Sequence, residues 1–163
     1  MSWRGSSSPF DRIFSCAVYL LPLLEATGFG SYLFSQIPFL GQFILIGLAP
    51  FLSVYGLISA IPFGRLILFF ALLLGVVRNP RINHFLRFNT MQALLMSIAL
   101  FLLVTVFGLF NTVQISSNLF GNTISTFLFL LFFGVAIYSI VQCVRGRYPE
   151  VPVVSEAAYH YVP

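Results

Sequence analysis

The sequence predicts an all-α integral membrane protein that crosses the bilayer several times. Of its 163 residues, 59% are hydrophobic and only 7% are charged, whereas about a quarter of the residues of an average soluble domain are charged. The mean hydropathy is +0.98, and long apolar runs alternate with short segments that hold most of the basic residues, all of them arginine. A transmembrane helix needs about 20 apolar residues. The chain therefore has room for about four spans and for no separate soluble domain.

The first span is predicted over residues 13–34, after a short N-terminal segment, residues 1–12. Pro22 should kink this helix. A secretory signal peptide is the less favoured interpretation of the start of this run, because Pro22 and Glu25 suit a signal core poorly. The N-terminal segment is too short and too poor in arginine for an organelle transit peptide. We therefore expect a bacterial or plastid-encoded protein.

Two apolar segments follow, and they need not both span the bilayer. Residues 39–60 are predicted to be re-entrant, to lie in the membrane interface or to span the membrane. A proline and a glycine then mark a break, and residues 64–78 form the next predicted span, with Arg65 at its entrance and Arg78 at its exit. This helix is short for a span. Pro80 ends it, because proline disfavours helical geometry in the residue before it.

A basic loop leads into the cleanest predicted span, residues 91–110. Asn89 is predicted to cap this helix, with Gln92 at the third helical position reaching back as in a capping box. The alternative is that both side chains form hydrogen bonds between helices inside the membrane. The other polar, charged and aromatic residues of the loop that we single out are Arg78, Asn79, Arg81, His84, Arg87 and Phe88.

The last predicted span, residues 124–144, is stopped by two arginines. A polar loop rich in Asn and Ser precedes it, a composition that is typical of turns. The C-terminal tail, residues 148–163, carries prolines and two glutamates, so it should be extended and outside the membrane. The phenylalanines of the last span that we expect to face lipid are Phe127, Phe129, Phe132 and Phe133.

The distribution of arginine predicts the orientation. If an even number of spans lies between Arg12 and Arg78, every arginine except Arg65 lies on one side of the membrane. If the number is odd, the arginines are divided between the two sides. The positive-inside bias selects the even number. We therefore expect four spans, with both termini and the loop 78–89 on the cytoplasmic or stromal side.

Nothing in the sequence predicts catalysis. His84 and His160 have no Cys, Asp or Glu at metal-ligand spacing, and the chain has no phosphate-binding loop or nucleophile motif. Cys16 and Cys143 both lie in apolar segments and are interpreted as small buried residues. We expect no catalytic residues, no cofactor, no metal site and no nucleic-acid partner.

Glu25 is the one acidic residue inside an apolar context, and it allows two interpretations. In the favoured one, it lies near the end of the first helix and meets water at the far interface. In the other, it is a functional charge inside the membrane, with Arg65 as its candidate partner.

The run from Val76 to Ala93, VVRNPRINHFLRFNTMQA, closely resembles the signature of a known family. This family is the twenty-kilodalton subunit of Tic, the translocon at the inner envelope membrane of chloroplasts, with its cyanobacterial and plastid-encoded relatives. Asp11-Arg12-Ile13, the run from Tyr19 to Leu23 and the tail from Val151 to Tyr159 are similar to the family in the same order. The resemblance covers nearly the whole chain.

The resemblance implies a four-helix membrane protein that, in chloroplasts, forms part of the preprotein-conducting core with other Tic subunits. The implied partners are membrane lipids, other translocon subunits or a second copy of the chain, and a translocating polypeptide. The family has no catalytic residues to carry over. The positions of this chain that match the family motif are Arg78, Asn79, Arg81, His84, Arg87, Phe88, Asn89 and Gln92.

Two function hypotheses follow. In the first, the protein is a subunit of a protein-conducting channel, which predicts polar residues along one face of the spans. In the second, it is a non-conducting membrane scaffold that binds lipid or protein, which predicts that polar groups are satisfied between helices. Both hypotheses are compatible with the sequence.

Overall fold

The computed structural model of the protein describes residues 8–111, 119–152 and 154–162. Within these ranges the chain is helical and contains no strand. The helices are α1 (Pro9–Ala26), α2 (Ser31–Gln36), α3 (Pro38–Ala60), α4 (Gly64–Leu72), α5 (His84–Asn111), α6 (Leu119–Val144) and α7 (Val154–Tyr161); a 3-10 turn, Thr27–Gly30, joins α1 to α2, and a π-helical segment, Leu73–Val77, extends α4.

Helix α1 begins with a complete capping box. The Ser8 hydroxyl accepts a hydrogen bond from the backbone N–H of Asp11 (3.2 Å), and the Asp11 carboxylate accepts one from the backbone N–H of Ser8 (2.9 Å). Pro9 occupies the first turn, where its missing N–H costs nothing. Together with α2, this helical stretch runs over 28 residues, Pro9–Gln36, or about 42 Å at the usual rise of an α-helix.

Among the described residues, four helices are long and apolar enough to cross a membrane: Pro9–Gln36, Pro38–Ala60, His84–Val106 and Leu119–Val144. The stretch Gly64–Val77 is also apolar but shorter. The structure thus has the all-α, polytopic architecture that the sequence predicts.

A sharp turn separates α3 from α4. Phe63 adopts a left-handed backbone conformation (φ 60°), and the N–H of Gly64 donates to the carbonyl of Ile61 (2.8 Å). A Cβ atom at Gly64 would overlap the carbonyl oxygen of Ile58. Glycine is therefore required here because the two backbones approach so closely.

Helices α1, α5 and α6 form a closely packed bundle with α1 in its centre. Contacts between Asp11 and Asn83 and between Tyr19 and Asn89 show that α1 and α5 run parallel. Helix α6 runs antiparallel to both, because Cys143 near its end meets Asn89, whereas Phe129 in its middle meets Phe34 beyond the end of α1.

One end of this bundle holds the starts of α1 and α5 and the end of α6. Helix α6 stops there in a Schellman turn, in which Gly146 N–H donates to Cys143 O and Arg147 N–H donates to Gln142 O, both at 2.9 Å. Gly146 takes the left-handed conformation (φ 70°) that this turn needs. We call this end the basic end because arginines lie in or beside each helix terminus there; they are Arg12, Arg78, Arg81, Arg145 and Arg147.

Two expectations from the sequence are wrong at this level. The C-terminal tail is not extended throughout, because α7 forms within it and buries Ser155 and Ala158, and Val162 directly after the helix is buried as well. Phe129, expected to face lipid, is buried and packs edge-on against Phe34 with ring centroids 5.1 Å apart. An apolar helix surface does not reveal which side meets a neighbour, since lipid and helix core are both apolar.

Candidate functional site

The prediction that Asn89 caps a helix beginning near residue 91 is wrong. Helix α5 begins earlier, so Asn89 and Gln92 lie inside the helix and are buried in the bundle. Helix α5 begins at His84, where the side-chain oxygen of Asn83 accepts a hydrogen bond from the N–H of Phe85 (3.1 Å). Asn83 thus plays the capping role that spacing had suggested for Asn89. Its amide N–H₂ also donates to the Asp11 carboxylate (2.9 Å), which ties the starts of α5 and α1 together.

Asn89 lies inside α5, fully buried, and connects α1, α5 and α6. Its side-chain oxygen accepts hydrogen bonds from the hydroxyl of Tyr19 on α1 (3.1 Å) and from the thiol of Cys143 on α6 (3.2 Å). Its amide group donates to the carbonyl of Phe85 one turn earlier (2.7 Å). In lipid, where helices gain little by burying apolar surface against each other, such bonds help to specify which helices associate.

Gln92 lies one turn further along α5 and meets the C-terminal helix. It is fully buried, and its side-chain oxygen lies 3.4 Å from the hydroxyl of Ser155 on α7. That hydroxyl also lies 3.2 Å from the carbonyl of Pro149 and accepts from the N–H of Val151 (2.6 Å). The amide nitrogen of Gln92 has no hydrogen-bond partner among the described residues.

His84 and Phe88, in the first two turns of α5, contact the C-terminal tail. The Nε2 atom of His84 lies 3.2 Å from the carbonyl oxygen of Val162, and its Nδ1 atom lies 3.1 Å from the hydroxyl of Tyr148. A carbonyl can only accept, so Nε2 carries a proton, and in the neutral ring Nδ1 then accepts from the hydroxyl of Tyr148. Phe88 is buried and packs on the ring of Tyr159, with centroids 4.4 Å apart.

The arginines of the motif divide into two kinds. Arg87 donates from Nε to the carbonyl of Val77 (2.8 Å) and so ties the end of the π-helical segment to α5. Arg78 and Arg81 are exposed. Asn79 supports the turn between them by accepting from the backbone N–H of Arg81 (3.0 Å). Most motif residues therefore make contacts within the protein that stabilise the basic end, whereas Arg78 and Arg81 lie on its surface.

A second polar cluster surrounds Glu25, about 21 Å along α1 from Asp11. The hydroxyl of Tyr55 on α3 donates to Glu25 Oε1 (3.0 Å). Ser97 on α5 and Arg65 at the start of α4 both lie close enough to interact with the same carboxylate. Among the described residues, however, neither Ser97 Oγ nor the buried Glu25 Oε2 makes a hydrogen bond of standard geometry. We call these four residues the Glu25 cluster.

Arg65 completes this cluster from the solvent or lipid side. It is exposed, donates from Nε to the hydroxyl of Ser59 (3.1 Å), and places its guanidinium carbon 5.4 Å from the centre of the Tyr55 ring. Cation–π attraction of this kind contributes about 0.5–1 kcal/mol at exposed sites. The structure thus brings Arg65 within electrostatic range of Glu25, and residues of α1, α3, α4 and α5 surround this carboxylate.

Comparison with known proteins is decisive. The family model described as "Chloroplast import apparatus Tic20-like" matches residues 7–158. The chain belongs to the Tic20 family. It is similar to a Tic20 family protein of Synechocystis sp., with 40% identity over 166 residues that cover 99% of both chains. It is also similar to the Arabidopsis thaliana protein TIC 20-II, chloroplastic, with 30% identity over 97% of this chain and 76% of that protein.

The chain is also similar to Tic20 family proteins named Ycf60. The Tic20 family protein Ycf60 of Porphyra purpurea is 32% identical over 157 residues, which cover 90% of this chain and 72% of that protein. The sequence resemblance stated above is therefore confirmed. This protein is a Tic20 family integral membrane protein, and its relatives occur in chloroplasts and cyanobacteria.

Sequence reasoning missed several residues that hold the Tic20 motif in place. Tyr19 and Cys143 donate to Asn89, and Ser155 meets Gln92. A usable indication was present, because an asparagine or glutamine in an apolar run needs a partner. The identity of that partner could not be read from the sequence, since Tyr19 and Asn89 are 70 positions apart.

Proposed function

We propose that this Tic20 family protein is a membrane subunit of a protein translocon and that the translocating polypeptide contacts it at the Glu25 cluster. The family model that matches the chain describes an import apparatus, which supports the general role. The observation that carries the specific role is a carboxylate with one unpartnered oxygen. It lies inside the apolar helical stretch Pro9–Gln36, whose other charges, Asp11 and Arg12, lie at its start.

The cost of such a group argues for function. A charged side chain in the centre of a membrane-spanning helix costs about 2.5–3.5 kcal/mol on insertion scales, and such residues commonly mark a substrate path. The free oxygen of Glu25 and the hydroxyl of Ser97 offer hydrogen-bonding capacity to a passing peptide backbone. Apolar side chains at the same level would offer none.

The attachment of α3 fits the same proposal. Among the residues of α3, all of which the structure describes, only Gly41 is buried. The hydrogen bond from Tyr55 to Glu25 is a polar link between this helix and the bundle. Apolar contacts of Ile44 and Leu48 also attach α3 to the bundle. Because α3 buries so little, it can move aside at lower cost than a helix of the bundle, which would open the Glu25 cluster to a polypeptide.

The connections between helices support an orientation. Helix α4 leads from Arg65, beside Glu25, to the basic end, where Arg87 binds Val77. We infer that α4 makes the return crossing, with α3 on the far side of the membrane, so that an even number of crossings separates Arg12 from Arg78. Both termini and the loop 78–89 then lie on the cytoplasmic or stromal side. The membrane is the cyanobacterial plasma or thylakoid membrane, or the plastid inner envelope.

A conduit would require further chains. Helix α1 packs directly against both α5 and α6, and Tyr19, Phe85 and Ala136 of the three helices are buried together. A passage for polypeptide would therefore form between this bundle and other translocon subunits, or between copies of this protein.

Site-specific photo-crosslinking from α5 tests the proposal. A diazirine amino acid at Ser97, which is 7% exposed and lies beside Glu25, should capture an in-transit polypeptide in native membranes. The matched control is the same group at Phe101, one turn further along the same helix and 67% exposed, which should capture lipid. The proposal fails if Ser97 captures only neighbouring helices while a transported substrate is present.

One observation favours the scaffold as a second candidate. The Asn89 network is satisfied between helices, with partners on α1 and α6 and in its own helix, as expected for a non-conducting scaffold. In that case the functional surface is the basic end. A crosslinker at Arg81 should then capture one stable protein partner, with or without substrate.

A further inference from the structure

A groove lies on the outside of the bundle between the start of α1 and the end of α6. Its volume is about 400 Å³, and it is lined by Pro9, Arg12, Ile13, Cys16 and Val144. Four of these residues present apolar or weakly polar side chains, and Arg12 supplies the one charge. The lining on α1 extends from Pro9 to Cys16, or about 10 Å along the helix.

We infer that the groove lies where a membrane helix meets the lipid headgroups, because both helices that line it have a terminus there. Helix α1 starts at Pro9, directly after its cap Ser8, and α6 ends at Val144, directly before its Schellman turn. Phe10, exposed beside the groove, fits such an interfacial position. From this level the apolar wall formed by Ile13 and Cys16 leads towards the hydrocarbon.

Arg12 is positioned at the mouth of the groove by the turn after α6. Its guanidinium group packs against Gly146, where an added Cβ would lie 2.8 Å from the guanidinium carbon. The glycine therefore makes room for the arginine as well as satisfying the turn. Arg145 and Arg147, on either side of Gly146, are exposed and add positive charge beside it.

We propose that this groove binds an anionic phospholipid, with one acyl chain along Ile13, Cys16 and Val144 and the headgroup phosphate at Arg12 and Arg145. Charge complementarity selects the headgroup, since positive residues at this depth attract anionic lipid. An apolar wall about 10 Å long fits the upper part of an acyl chain. A docked amphipathic helix would need anchor positions over two or more turns of a longer groove.

Protection of Cys16 from alkylation tests this site. Cys16 and Cys143 are the two cysteines of the chain, and Cys143 is fully buried. In the full-length protein carrying Cys143→Ser, which keeps a donor for Asn89, Cys16 becomes the sole thiol. We expect a membrane-permeant maleimide to label it several-fold more slowly in vesicles of phosphatidylcholine with phosphatidylglycerol than in phosphatidylcholine alone.

Matched arginine variants distinguish lipid binding at this groove from a general attraction of anionic lipid to the positive charge of the basic end. Arg12→Gln should weaken the protection by phosphatidylglycerol about fivefold, which corresponds to the loss of about 1 kcal/mol of attraction. Arg81→Gln, which removes an exposed charge elsewhere at the basic end, should leave the protection unchanged. Arg12→Lys should keep most of it, and this variant decides the matter if Arg12→Gln does not fold.

A variant that fills the groove gives an independent readout. Val144→Trp should release one retained phosphatidylglycerol in native mass spectrometry of the purified protein, with no change in its thermal unfolding midpoint. The proposal is overturned if both lipid mixtures protect Cys16 equally, or if Arg12→Gln and Arg81→Gln lose protection to the same extent. It is also overturned if Cys16 is equally protected in detergent without lipid, since a segment of the protein would then cover the groove.

Discussion

The bundle of α1, α5 and α6 and the arm formed by α3 and α4 are built from similarly apolar sequence, yet they differ in what they bury. The bundle encloses Asn89, Gln92 and Ser139, which are all fully buried. Helix α3 buries only Gly41 of its 23 residues, all of them described. Apolar composition identifies both parts as membrane helices. The polar side chains indicate which helices associate, because lipid competes with apolar contacts but not with interhelical hydrogen bonds.

The largest expected effect comes from removing the polar centre of the bundle. Asn89→Leu keeps the branched shape and the number of side-chain heavy atoms but leaves the hydroxyl of Tyr19 and the thiol of Cys143 without their acceptor. We expect a loss of about 1–2 kcal/mol in the free energy of unfolding, measured by denaturation in mixed detergent micelles.

The matched control for this variant lies on the arm. Gln42→Leu also replaces an amide, at an exposed position of α3, and should change the unfolding midpoint little. Equal losses for the two variants would contradict the distinction between bundle and arm.

A smaller effect is expected from replacing Gly146 with alanine, and Gly56 in α3 provides the matched control. Gly146→Ala forces a side chain into the left-handed conformation and against the guanidinium of Arg12, which should cost about 1 kcal/mol. Gly56→Ala in α3 meets nothing within 4 Å and should be neutral or slightly stabilising. Thermal unfolding of the two variants side by side measures the difference, and a costly Gly56→Ala would show that α3 packs more tightly than described.

Removing one hydroxyl should loosen the arm without affecting the bundle. Tyr55→Phe deletes the donor to Glu25 and keeps the ring beside Arg65. Loss of this hydrogen bond, about 1 kcal/mol, should speed amide hydrogen exchange in α3 about fivefold. Exchange in α6 is the internal reference. A uniform change in both helices would mean that Tyr55 supports the whole fold.

The smallest effect is expected at the C-terminal helix. Ser155→Ala removes the hydroxyl that accepts from Val151 N–H and meets Gln92, and it should cost about 0.5–1 kcal/mol. Faster exchange of the α7 amides, with the midpoint of the bundle nearly unchanged, would support this. His160→Ala, an exposed change in the same helix, should leave exchange unaltered.

The membrane class, the long helices and the family could be predicted because they depend on composition and on a contiguous motif. The position of the motif within the fold could not be predicted in this way. Asn83 and Asn89 are both competent caps, and the choice between them depends on Asp11 and Tyr19, which lie far away in the sequence. Helix α7 was missed for the same reason, since prolines and charge predict an extended tail, whereas burial of Ala158 against α5 favours a helix. Contacts with distant residues decide both cases.

The parallel arrangement of α1 and α5 has a consequence for biosynthesis. Tyr19 and Asn89, which form the central hydrogen bond, are separated by 70 positions, with α3 and α4 between them. At a synthesis rate of about 5–20 residues per second, roughly 4–14 seconds pass between the two. During this interval the hydroxyl of Tyr19 lacks Asn89 as its acceptor. An insertion factor or a lipid headgroup could shield that hydroxyl until α5 emerges from the ribosome.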